Sequence, residues 1–145
     1  MDVPYLRELD ITRSVIEKEF PNFPRGYCMA SARILKALLS LDEVAGVHVS
    51  DTDPRFFHAW NYDRKRRLYI DLTFDQFEGE PDRAAVTILP DDTRHLIRTQ
   101  EDTKTQRMWR PNRDAYMHLH MVMEHLREEL YKNDFMRTPD GVCLY

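Results

Sequence analysis

FFHAWNYDRKRRLYIDLTFDQF, residues 56–77, decides how this chain folds. Aromatic, β-branched and other apolar residues (Phe56, Phe57, Trp60 and Tyr62, then Leu68, Tyr69, Ile70 and Leu72) flank a polar cluster from Asp63 to Arg67. That is the pattern of two strands joined by a charged turn. A turn centred between Arg64 and Lys65 sets His58 directly opposite Asp71 on one face, with Cβ atoms roughly 5 Å apart. At that range a carboxylate accepts the imidazole N–H, fixes its tautomer and stabilises its charged form. The cluster holds no Gly or Asn, which disfavours a two-residue turn. A four-residue loop with the same centre keeps the pairing, and a three-residue loop shifts it. Taken alone, this is an ion pair on an ordinary hairpin.

A cysteine upstream adds the chemistry. Residues 28–41 are apolar around most of a helical circumference (Ala30, Ala32, Ile34, Leu35, Ala37, Leu38, Leu39), with a polar stripe at Arg33, Lys36 and Ser40. Such a helix belongs in an interior. Cys28 falls in its first turn, where unpaired backbone N–H groups and the helix dipole favour negative charge and hence the reactive thiolate. A helix packed on the sheet face that carries His58 would bring sulfur and imidazole together. Nucleophile, base and orienter would then be present. Singly, each residue has a plain alternative: a small core cysteine, a histidine satisfied on a strand, an aspartate at a strand end.

Cysteine at a helix start, then histidine and aspartate on neighbouring strands, resembles the transglutaminase-like branch of the papain-like thiol enzymes. The residues that carry the likeness are Gly26-Tyr27-Cys28, His58-Ala59-Trp60 and Ile70-Asp71-Leu72-Thr73, within about residues 20–77. The resemblance implies an α+β fold: a central helix packed on an antiparallel sheet, with flanking helices. It also implies Cys28 as nucleophile, His58 as general base then acid, and Asp71 as orienter. Papain-like enzymes carry a glutamine six residues before the cysteine to help bind the oxyanion; Asn22 stands there in this chain. Gln76, shortly after Asp71, is the other side-chain candidate, and the backbone N–H of Cys28 supplies the remaining donor. Tyr27 and Trp60 are candidate walls of the substrate site, Trp60 because it shares the strand face of His58. Thr73 is placed to hydrogen-bond near Asp71.

Working outward, Leu6, Leu9, Ile16 and Phe20 space an amphipathic helix over residues 4–19 that Pro21 ends. Residues 42–46 form a connection, Val47 to Val49 begin a strand, and Ala85 to Leu89 make a further one. Residues 99–113 are a long polar connection. A last helix runs from about Asn112 or Asp114 to Lys132. Its His118, His120, Glu124 and His125 fall on two faces and lack the H-E-x-x-H pattern, so no metal site is expected. Nor is any cofactor expected. The methionines near this helix, Met117, Met121, Met123 and Met136, suit either core filling or an adaptable docking surface.

At 145 residues and 42% hydrophobic content the chain is expected to form one domain with a substantial core. Its net charge of −4 argues against nucleic acid, and Arg64 to Arg67 read as a solvated turn. No apolar run approaches the roughly 20 residues of a membrane helix. The opening residues MDVPYLRELD lack the features of a signal peptide, so a cytoplasmic location is expected, with reduced Cys28 and Cys143. The expected substrate is a peptide, protein or small amide. Water as acceptor gives a peptidase, amidase or glutamine deamidase; an amine gives a transglutaminase or acyltransferase. The contrasting reading is a non-catalytic binding module on the same fold. The sequence leaves the oligomeric state open.

Overall fold

Asp63 sets the hairpin. Its carboxylate accepts the backbone N–H of Arg66 at 3.0 Å and the Arg66 guanidinium at 3.1 Å. Asp side chains nucleate turns in this way. Arg67 closes the loop in the left-handed region, φ 57°. Strands β2 (Phe56–Asp63) and β3 (Leu68–Asp71) are thereby joined by the four residues 64–67. Asn61 pairs with Ile70, Tyr62 with Tyr69 and Asp63 with Leu68. The turn is therefore centred between Lys65 and Arg66, one residue later than the sequence reading places it. Continued upward, this register sets Trp60, not His58, across from Asp71. His58 and Asp71 keep the same face but meet on the diagonal, which polar side chains can span.

The computed structural model describes residues 3–20, 22–24, 27–49, 56–77, 79–98 and 113–132. Strand β1 (Asp42–His48) pairs antiparallel with β2 along its whole length, from Asp42–Tyr62 to His48–Phe56. The sequence reading leaves residues 42–46 as a connection because Asp, Glu and Gly are poor strand formers; pairing with β2 overrides that preference. Strand β4 (Thr87–Pro90) lies on β3, and β5 (Leu96–Arg98) on the other edge of β1. The five-stranded order is β4-β3-β2-β1-β5, antiparallel throughout. With three α-helices among the described residues, the chain is an α+β protein.

Helix α2 (Cys28–Leu39) buries Ala30, Ser31, Ala32, Ile34 and Leu35. It stops at Ser40, which turns left-handed at φ 57° and donates its N–H to the Lys36 carbonyl. Two polar ties fix α2 to the sheet. The buried amide of Asn61 donates to the Ala32 carbonyl at 2.8 Å, and Arg33 pairs with Glu43 at 3.1 Å. Asn61 and Glu43 are cross-strand partners and so mark the helix-bearing face. Alternation turns Val44, Trp60 and His58 to the opposite face. There Val44, Trp60, Tyr69, Phe74, Leu89 and Leu96 form an apolar core. The expectation that the helix covers the His58 face is thus corrected: α2 takes the other one.

Gly46 has no room for a side chain. A Cβ there would overlap the Ile97 carbonyl of β5 and come within 2.8 Å of the Trp60 ring. The missing side chain lets both approach.

The chain falls into two compact units, one holding α2 and the sheet, the other the first and last helices. In the second unit, α1 (Leu6–Glu19) and α3 (Arg113–Lys132) pack together. Arg7 donates to the Leu130 carbonyl at 3.4 Å and His125 pairs with Glu19 at 3.0 Å. Among the described residues no helix is long and apolar enough to cross a membrane. Cys143, Met136 and the polar stretch 99–112 lie outside the described residues.

Candidate active site

The last residues of β3 prepare the carboxylate. Asp71 is 2% exposed, and its Oδ1 accepts both the backbone N–H of Thr73 at 2.8 Å and the Thr73 hydroxyl at 3.0 Å. Those two bonds fix the plane of the carboxylate and leave Oδ2 to the imidazole. His58 Nε2 lies 2.6 Å from Oδ2, a short charge-assisted bond. Burial by itself pushes His58 down. The charge of Asp71 and its hydrogen bond, with a further contribution from Cys28, outweigh that and hold the ring at about 10, against an ordinary 6.5. The buried ring is therefore an imidazolium at neutral pH.

Cys28 acts on this ring from the first turn of α2. The β2–β3 ladder runs only from Asn61 to Asp63, so His58 lies on a part of β2 that β3 has left. There the start of α2 meets the imidazole, although the body of the helix lies on the opposite face. Asp71 takes Nε2, which leaves Nδ1 as the ring nitrogen open to another group. Nδ1 is buried and has no hydrogen-bond partner.

The remaining candidates are distributed as follows. Trp60 is buried on the His58 face, its ring stacked at 5.9 Å between centroids, with an indole N–H that has no hydrogen-bond partner. It walls the imidazole as expected, but as part of the apolar core. Tyr27 sits immediately before α2, half-buried, with its ring 6.0 Å from that of Phe23. Asn22 is exposed, in a left-handed turn at φ 64°. Gln76 belongs to the short 3₁₀ turn Phe74–Gln76, and its buried amide nitrogen has no hydrogen-bond partner. Gly26 lies outside the described residues.

Other polar groups are spoken for. Arg64, Arg66 and Arg67 of the basic turn pair with Asp42, Asp63 and Asp91 at 2.9–3.1 Å. On α3, Glu124 pairs with Arg127 and His125 with Glu19, which leaves no convergent ligand set on the described part of that helix.

Two features escaped the sequence. Phe77 sets its edge against His58, centroids 4.8 Å apart at 79°. Behind it lies a second buried histidine–carboxylate pair, His48 and Glu80, at 2.9 Å. Strand parity from His58 through Gly46 would have placed His48 on the same face, had the strand read at Val47 to Val49 been extended back through Gly46 to pair with β2. Nothing in a loop glutamate three residues after Phe77 announces its partner.

No family model, curated protein or solved structure matches this chain.

Proposed function

We propose that this chain is a thiol-dependent acyl-transfer enzyme that acts on amide carbonyls through a thioester at Cys28. The observation that carries this reading is a buried imidazole with one nitrogen fixed by Asp71 at 2.6 Å, while the sulfur of Cys28 acts on the same ring. A cysteine sulfur beside an imidazole that already carries its proton is a nucleophile with its acid loaded.

The Cys28 sulfur attacks the carbonyl carbon. The tetrahedral oxyanion is met by the backbone N–H of Cys28, one of the unpaired donors of a helix start. Gln76 and Asn22 are the candidate side-chain donors. His58 passes its Nδ1 proton to the departing amine, the C–N bond breaks, and a thioester remains. His58, now neutral, takes a proton from water as the water attacks the thioester carbonyl; the C–S bond breaks, the acid departs, and the Cys28 sulfur and the protonated His58 are restored. Asp71 holds the ring in orientation through both half-reactions. Hydrolysis or deamidation of a peptide-like or glutamine-like amide is favoured over transfer to an amine because it requires no second substrate pocket.

Reactivity toward iodoacetamide tests this. Cys28 should be alkylated faster than Cys143 at neutral pH, and His58→Ala should slow alkylation of Cys28 by about 10²–10⁴-fold. Cys28→Ala should abolish turnover while the protein stays folded. A Cys28 that is inert in the native protein would leave the binding-module reading in its place.

A further inference from the structure

Phe77 is held between two histidines. Its ring lies flat on His48, centroids 3.7 Å apart at 7°, and sets its edge against His58. It also meets Phe74 edge-on at 5.6 Å. His48 is 3% exposed and donates from Nε2 to Glu80 Oε1, and Glu80 is itself 6% exposed. The Glu80 N–H donates back to the Phe77 carbonyl at 3.3 Å, closing a tight turn through Gly79, whose φ of 90° suits glycine. His95 Nδ1 stands 3.5 Å from the other carboxylate oxygen. The loop after β3 is thus clipped to β1 by a buried imidazole–carboxylate hydrogen bond, and the ring it clips in place covers the imidazole of His58.

We infer that Glu80 is a positioning residue for His58: by anchoring to His48 it holds Phe77 over the imidazole and keeps water from the His58–Asp71 bond. The inference rests on the acyl-transfer reading only where it concerns rate; the brace itself is a property of the fold. Its physical basis is the dielectric around the pair. An ion pair between His58 and Asp71 is strong because water is excluded, and it weakens once water reaches it. The charged and titratable groups acting on His58 are Asp71 and Cys28, and those acting on His48 are Glu80, His58 and His95.

The test compares Glu80→Ala with Glu80→Gln, whose amide oxygen can still accept from His48. Two readouts are taken: the titration of His58 by NMR, and the alkylation rate of Cys28. In Glu80→Ala the His58 titration should fall from about 10 toward 6.5, and alkylation at neutral pH should slow by about tenfold. Glu80→Gln should restore most of both. Phe77→Leu, which keeps apolar bulk but loses the flat ring, should behave as Glu80→Ala does and serves if that variant does not fold. A folded Glu80→Ala or Phe77→Leu with both readouts unchanged overturns the inference, as does a Glu80→Gln as impaired as the alanine variant. If His58→Ala leaves alkylation of Cys28 unaltered, the acyl-transfer reading falls, while the His58 titration still reports on the brace.

Discussion

At Asp71 the two carboxylate oxygens have separate tasks: Oδ1 is held by Thr73 and Oδ2 holds the imidazole. Thr73→Val keeps the shape of the side chain and the backbone N–H but removes the hydroxyl donor. A buried hydrogen bond to a charged group contributes about 1.5–3 kcal/mol, so stability should fall by about that much. The His58 titration should move toward its ordinary value, and both are measurable by denaturant unfolding and NMR. An unchanged titration would mean that the backbone N–H alone orients Asp71. The three principal residues were legible because their types are distinctive and their order follows the chain: a thiol at a helix start, then an imidazole and an acid on strands. Glu80 and Phe77 were not, because a loop has no periodicity from which to read where a side chain points.

The elements show where local signals give way to pairing. Alternation of apolar and polar residues marks β2 and β3 well, but not their register. That was set by the Asp63 side chain gripping Arg66, a contact among residues that look equally charged and equally loop-like in sequence. The first five residues of β1 were hidden by Asp42, Glu43 and Gly46, and β5, with three residues, is too short for any period to appear. Gly46 is the point at which these elements depend on one another, since it lets the β5 backbone and the Trp60 ring approach β1. Gly46→Ala should destabilise the protein by about 1–3 kcal/mol, the cost of overpacking a filled interior. The near-ultraviolet circular dichroism of tryptophan should change with it. A variant of unaltered stability and spectrum would show that β5 can shift without disturbing Trp60.

The stability of the whole molecule responds to pH through two imidazoles that act in opposite senses. His58 is raised to about 10 in the folded chain, so between pH 6.5 and about 10 the native state binds more protons than the unfolded one. Its contribution is complete below 6.5 and is lost as the pH climbs through that window. His48 is pushed below its ordinary value, by burial first and then by the charges on His58 and His95, against the pull of Glu80. Its contribution is present above 6.5 and is lost on acidification. The urea midpoint should therefore be highest near neutrality, and in Asp71→Asn the alkaline decline should flatten. An equally steep alkaline decline in that variant would assign it to other groups. The choice of face for α2 could not be read from the sequence, since its helix is apolar on most sides. It emerges from Asn61, whose amide grips the helix three residues along β2 from the imidazole. Because the two point to opposite sides of one strand, a slip of a single position would exchange them, turning the amide into the aromatic layer and the imidazole under the helix. Seating the helix and placing the imidazole beside its carboxylate are therefore a single event for this molecule, and a misaligned conformer could accomplish neither.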